Sequence, residues 1–552
     1  MFRVLTTSML LAAALVAPAI ARAQSAPPVQ RLDTGVLVRE TKPEVPSEAL
    51  PRPEIETPAR AAEPVAVAPG VMVGAIMIDG GEELSRAELM TAVSSFIGHR
   101  LNTASMQDLL AAVSGVARAH GYIFARSSIP AQTISAGVLH VGLDLGRIGE
   151  IRGATGKDGE VLSALAPLIG HAPMQAELER RLMLAGDLPG VSIGRVRFVR
   201  EGTRGILIVP VTRKRVQGLA TVDNRGLDAL GPVRAQISVD VSQLLMEDDR
   251  IGMQVVTTPL EPRELFALYG RYEIHPTASG TEVAFYGSYG RTHSGGRWSA
   301  FDPEGESFSA GMSITQPIFR GRRESFWASV QFNHVETDSW WAGALSQRDR
   351  ITTIGASING YAPFAGGRLR AGAGVNQGVL ALGAMGPNNP LASRFAAGSD
   401  FTVFNFWANW VGDIAGPVSA RLAVTAQAST NPLPAVQQIS IGGPYFGRGY
   451  DFSERMGDEG VLGSAELRAK VVDKSSGLVR WTQVYAFADG SHVRSLRNDF
   501  GTGDLYSAGA GARLTLAENL GVELEAAFPI NSVRYDSGNK SPRVSFSVNK
   551  RF

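Results

Sequence analysis

From about Val216 to Phe552 the sequence runs in short stretches whose apolar residues fall at every second position, a pattern that fits extended strands with one apolar face. Phe266, Leu268, Gly270, Tyr272 and Ile274 alternate with Ala267, Tyr269, Arg271 and Glu273. Val283, Phe285, Gly287 and Tyr289 follow the same rule, as do Phe326, Ala328, Val330 and Phe332, and Leu422, Val424, Ala426 and Ala428. Gly, Pro, Asp and Asn separate the stretches. Such a face turns either into the core of a soluble sandwich or outward to lipid on a closed barrel.

Two features favour the barrel. The chain opens with Arg3, an apolar run from Met9 to Ile20 and Ala21-Arg22-Ala23, which predicts a secretory signal over residues 1–23. That run is too short for a bilayer-spanning helix, and beyond it no apolar stretch reaches 18 residues, so any membrane crossing must use strands. At the other end Val544, Phe546, Val548 and Phe552 alternate with Ser545, Ser547, Asn549 and Arg551, giving a last strand that closes on an aromatic residue. The 337 residues from 216 to 552 allow about 21 for each strand and its connection in a sixteen-stranded barrel. Fourteen or eighteen strands also fit. A barrel of this size encloses water.

Ahead of the barrel, residues 71–146 predict a strand (Val73 to Asp79), two helices and two further strands. Ser85 and Glu88 have the spacing of a capping box, with Leu89, Val93, Phe96 and Ile97 on one helix face. A second helix from Thr103 aligns Met106, Leu110, Val113 and Ala117 and stops at Gly121. Leu139, Val141, Leu143 and Leu145 share one face of the strand from Val138. Residues 147–214 repeat the plan, with Ile148 to Arg152, helices around Val161 to Ile169 and Gln175 to Leu184, and strands Ser192 to Arg200 and Gly205 to Arg213. Between the signal and these modules, residues 24–70 predict a short amphipathic helix (Val29 to Glu40) and a linker from Pro43 to Pro69 whose prolines block helix and sheet ladders.

Several functions have no support in the chain. With no cysteine there are no disulfides or thiolate metal sites, and the eight histidines show no metal-ligand spacing. A net charge of +1 offers no field for nucleic acid. Gly190-Val191-Ser192-Ile193-Gly194 matches the GxSxG nucleophile pattern, but Ser192 precedes a strand where a hydrolase needs a strand-to-helix elbow. Neither a catalytic residue nor a cofactor is expected.

Residues 121–148, GYIFARSSIPAQTISAGVLHVGLDLGRI, resemble the first POTRA module of the two-partner secretion transporters, the haemolysin secretion/activation family. Leu178 to Val191 is similar to the end of that family's second POTRA helix and the turn after it, Asp223-Asn224-Arg225-Gly226 and Gly231 to its first barrel strand and turn, and Asp33 to Glu40 to its plug helix. Residues 433–468 resemble the loop that folds back into the lumen, with Arg448-Gly449-Tyr450 at its tip and Gly442 and Gly443 supporting it. Gly447 stands where valine is usual. Tyr485 to Gly490 is similar to the wall motif that receives the tip, a similarity that implies Asp489 and Phe487 as its partners and Tyr485 as their neighbour, although the motif's second glycine comes one position early here.

The resemblance implies a mainly β protein: two small α/β POTRA modules (71–146 and 147–214), then a transmembrane antiparallel β-barrel (215–552). It implies export of an unfolded exoprotein through the barrel, in the outer membrane, with the modules in the periplasm. Implied partners are the secreted client, outer-membrane lipids and, during biogenesis, the barrel assembly machinery, with the transporter itself a monomer. Assembly of other outer-membrane proteins is the second reading within the superfamily. A passive solute porin would leave residues 71–214 without a purpose.

Overall fold

The computed structural model describes residues 32–40, 54–56, 70–134, 137–153, 159–202, 204–474 and 476–552. The expected signal segment, residues 29–31 of the expected helix and most of the proline-rich linker lie outside them.

Sixteen antiparallel strands close into a barrel. They are β1 Val216–Asp223, β2 Arg234–Ser242, β3 Asp249–Thr257, β4 Leu265–Ile274, β5 Glu282–His293, β6 Glu304–Arg320, β7 Ser325–Trp341 and β8 Ala344–Phe364. The others are β9 Gly367–Gly378, β10 Thr402–Ala415, β11 Val418–Ser429, β12 Glu459–Asp473, β13 Val479–Arg494, β14 Gly503–Leu516, β15 Leu520–Pro529 and β16 Arg543–Arg551. Closure is β1 against β16, from Leu219 opposite Arg551 to Asp223 opposite Ser547. The alternation read from sequence sorts the two faces: Phe266, Phe326, Val330, Leu422 and Val544 are exposed on the outside, while Ala267, Glu273 and Thr337 are buried against the lumen.

The modules stand at one end of the barrel, the end at which β1 begins. In the first, Ala75–Asp79 pairs parallel with Val138–Asp144, which pairs antiparallel with Arg126–Ser128. Helices α2 (Arg86–Val93) and α3 (Thr103–Ala119) cover this sheet, with Leu89, Val93, Met106, Leu110, Val113, Leu139 and Val141 in one core. The expected capping box at Ser85 does not form. Ser85 makes no side-chain cap, and Glu88 pairs with His120 at 2.6 Å. The reciprocal box belongs to α3, between Asn102 and Ser105.

The second module sets α4 (Gly159–Leu165) and α5 (Gln175–Gly186) against Ile148–Gly153, Arg204–Val209 and Val196–Glu201. The expected helix to Ile169 ends its α turn at Leu165 and continues as a 3₁₀ turn over Ala166–Leu168, where Pro167 removes an amide donor. Each of the two long strands expected here is split. Val191–Ile193 pairs with Val211–Arg213 as a separate ribbon, because Pro210 interrupts the ladder and leaves its carbonyl to the amide of Gly194. Ser192 is therefore the exposed middle residue of a short strand, between buried Val191 and Ile193, with no elbow. The linker also departs from expectation: Ile55–Glu56, between Pro53 and Pro58, keeps its amides and pairs parallel with Val196–Arg197 at the edge of the second sheet.

Candidate functional site in the lumen

Two inserts occupy the barrel interior. The first is helix α1 (Thr34–Glu40). Asp33 caps it, accepting from the amide of Val36 at 3.1 Å. Val36 and Leu37 pack with Leu227, Leu230, Ala435, Phe452 and Met456, and Val38 packs with Val256, Leu265 and Ala267. The wall is cut to receive the helix. A Cβ at Gly290 or Gly305 would run into Val38 or Thr34, and one at Gly35 would lie 2.6 Å from Thr337 Oγ1. Thr34 and Thr292 join hydroxyls at 2.6 Å.

The second insert is the loop between β11 and β12. A small ribbon, Ile439–Ile441 with Arg455–Gly457, carries it back into the lumen. At its base Asp458 is fully buried, accepts the amides of Leu433 (2.9 Å) and Leu496 (2.7 Å) and pairs with Arg394. The two inserts touch: Arg39 of α1 donates to the carbonyls of Val436 (2.6 Å) and Gln438 (2.9 Å).

Arg448 lies at the loop tip with its side chain 4% exposed. Its Nε and Nη2 donate to Asp489 at 3.1 and 2.9 Å, and its own amide reaches the same carboxylate at 3.0 Å. Nη2 also donates to Ser464 Oγ (3.1 Å), while Nη1 lies 3.2 Å from Glu466 and 3.3 Å from Glu525. The guanidinium stacks 3.3 Å above the Phe487 ring. One cation thus meets three wall carboxylates and an aromatic face, a contact set that a planar fork can make and a point charge cannot.

Strand register explains how the wall presents these groups. Asp489, Phe487 and Tyr485 alternate on the lumenal face of β13, with Ser464 of β12 opposite Asp489 and Glu466 opposite Phe487. Phe487 lies across Gly509 of β14, where an added Cβ would come within 2.6 Å of its ring, and Tyr485 lies across Gly511 in the same way. These glycines let both rings lie flat under the arginines: Arg448 covers Phe487, and Arg513 covers Tyr485 at 3.9 Å. Around the site Glu466 also pairs with Arg513 (2.6 Å) and Arg468 (2.7 Å), and the Tyr485 hydroxyl reaches Glu523 and Glu525, each at 2.9 Å.

The other expected residues hold the tip in place. Gly449 passes so close to the β15 backbone that a Cβ would sit 2.8 Å from Pro529 N. Tyr450 is fully buried, donates to Asn531 Oδ1 at 2.8 Å, and its carbonyl accepts from Arg543 at 2.6 Å. Gly442 (φ +99°), Gly443 (φ +105°) and Gly447 (φ +74°) all have left-handed backbone. The last opens a turn in which the carbonyl of Gly447 accepts from Tyr450 N at 2.9 Å.

Sequence reading missed Ser464, Glu466, Glu525, Arg513, Gly509 and Gly511. Alternation could have flagged Glu523 and Glu525, two carboxylates on one face of β15. Two groupings with metal-ligating atoms, Glu273–His275–Glu282 and His293–Asp302–Glu304, also come together only across neighbouring strands. In the first, Arg271 pairs with both glutamates and Arg250 with Glu273; in the second, His293 lies between the two carboxylates.

A family model described as haemolysin secretion/activation protein ShlB/FhaC/HecB matches residues 202–514, and one described as POTRA domain, ShlB-type, matches residues 71–143. The heme/hemopexin transporter protein HuxB of Haemophilus influenzae is 22% identical over 528 residues, covering 91% of this chain and 92% of its own. Among solved structures, CdiB from Escherichia coli superposes with a TM-score of 0.69 at 20% identity, covering 90% of this chain and 93% of that one. CdiB from Acinetobacter baumannii gives 0.61 at 16% identity, covering 90% and 94%. BamA from Haemophilus ducreyi, lacking POTRA domains 1–3, gives 0.53 at 12% identity, covering 88% and 100%. At these identities the structural likeness is one of fold.

Proposed function

The chain belongs to the haemolysin secretion/activation family, and from that premise we propose how its parts divide the work of moving an exoprotein across the outer membrane. The barrel is a two-partner secretion translocator in the outer membrane, and its POTRA modules stand in the periplasm. Members of the family are transporters. In our reading the second module takes the unfolded amino-terminal part of the client as an added strand. The lumen then empties of α1, and Arg448 leaves its carboxylates as the client passes.

The observation that carries this reading is the path of the linker. Residues 54–56 follow α1 in the chain and occupy the edge strand Val196–Glu201, the place where an extended client would form main-chain hydrogen bonds. Plug and edge are thus occupied by one continuous segment. A client that displaces Ile55–Glu56 frees the tether of the helix that fills the pore.

Deleting residues 24–69 tests both halves in the intact barrel. The variant should bind a cognate exoprotein's amino-terminal fragment more tightly than the full chain does by calorimetry, and should show raised single-channel conductance in planar bilayers. Unchanged affinity together with unchanged conductance would remove the linker and helix from the mechanism.

A further inference from the structure

The turn joining β2 to β3 exposes three successive apolar side chains, Leu244 (57%), Leu245 (72%) and Met246 (55%), and holds them on a fixed frame. Fully buried Asp249 accepts the amides of all three, at 2.8, 2.9 and 3.0 Å, and Gln243 enters the turn with φ +59°. A buried carboxylate spent on presenting three apolar side chains to the outside requires something for them to meet.

We infer that this turn is a tooth inserted among the phospholipid acyl chains of the periplasmic leaflet. Two observations select lipid as the occupant. The outer face of the hairpin above the turn is already a lipid-facing column, with Ile237 opposite Val255, Val239 opposite Met253 and Val241 opposite Ile251. The tooth continues that column past the strand ends. Elsewhere on the same rim Ile318, Phe319, Phe364, Ile414, Val471 and Leu478 are exposed at corresponding strand ends, so the tooth belongs to an apolar girdle.

The second observation is length. β2 and β3 have nine residues each. At about 3.3 Å per residue and a tilt of about 40° such a strand rises about 23 Å, short of an apolar band about 25 Å tall. Three apolar residues beyond the strand make up the deficit. The tooth also bears on the second module, since Ser242 and Glu247 at its flanks lie beside Gly190 and Gly159. Its depth in the leaflet therefore sets the height at which that module is held.

The chain has no cysteine, so a single introduced thiol is unique. Full-length Leu245→Cys, carrying a nitroxide and reconstituted in phosphatidylethanolamine/phosphatidylglycerol vesicles, would be compared by power saturation with Val330→Cys on the lipid face of β7 and Glu82→Cys on the first module. Each labelled protein is first checked for heat-modifiable migration. The tooth predicts an oxygen-to-nickel accessibility ratio near that of Val330→Cys and at least about threefold above that of Glu82→Cys. A ratio equal to that of Glu82→Cys would overturn the inference. Protection appearing only when an unfolded client fragment is added would also overturn it and give the surface to polypeptide.

Discussion

Arg448 is worth more than an ordinary ion pair because water does not share it. An exposed pair contributes about 0 to 1 kcal/mol, whereas removing one partner of a buried pair costs about 3 to 5 kcal/mol. Arg448 and its three carboxylates are all buried. Lysine would keep the charge but lose the fork on Asp489 and the stacking on Phe487. Arg448→Lys and Arg448→Ala should therefore each lower secretion of a cognate client by at least about tenfold, with barrel level and heat-modifiable migration near wild type. Full secretion by Arg448→Lys would reject the forked contact. Asp33 is the second residue with a measurable signature. Burial, with the Asp349 carboxylate adding to it, pushes the Asp33 carboxyl up to about 7, against the amides of Val36 and Gly35 and the charge of Arg39. A carboxyl whose pKa rises on docking binds a proton as it docks, so α1 is held most firmly below about pH 4 and loses that advantage as pH rises toward 7. Lumenal conductance should increase from pH 5 to pH 8, and Asp33→Asn, which can still cap the helix, should flatten the dependence. A slope unchanged in the asparagine variant would place the titrating group elsewhere. Asp489 and Phe487 were legible from the wall motif. Glu466 and Glu525 come from β12 and β15, and only the register of four neighbouring strands brings both to one guanidinium.

At the scale of elements, period-two alternation made the strands readable, because a one-residue slip would turn every apolar side chain into the lumen. The modules were less legible. Their short strands change partners at Pro210 and Gly194, and no periodicity signals which sheet a three-residue strand joins. The joint between second module and barrel was invisible in the sequence. Asp187, just after α5, grips Arg320 at the end of β6 with two hydrogen bonds of 2.6 and 2.7 Å. Arg320 is almost fully buried, donates to Ser325 and Tyr361, and lies over the Trp327 ring at 5.3 Å. Leu184 of α5 meanwhile fits against Gly280 in the β4–β5 turn. Asp187→Ala should leave Arg320 buried without its carboxylate and loosen the joint, raising amide exchange over residues 175–186 by at least about tenfold while the barrel strands stay protected. Unchanged exchange there would mean that apolar packing alone holds the module.

For the whole molecule, one chain builds a barrel, sets a helix and a folded-back loop inside it, and places two α/β modules at one end. The closed ladder of sixteen strands fixes the wall. The inserts touch that wall through glycine-lined grooves and buried polar contacts, which can be broken without unzipping any barrel strand. The fold class and the lumenal loop were readable because alternation and motif order run along the chain, while the length left fourteen, sixteen and eighteen strands all open. The pairing of Ile55–Glu56 with the edge of the second module was not readable, because a two-residue strand between prolines has no pattern of its own. A client that crosses through the lumen meets one face of each strand and not the other. Val330 and Gln331 on β7 are neighbours that face lipid and lumen respectively. With a photo-crosslinking residue at each position in turn, a client stalled in mid-export should crosslink at residue 331 and not at 330. Crosslinks at 330 alone would contradict passage through the barrel.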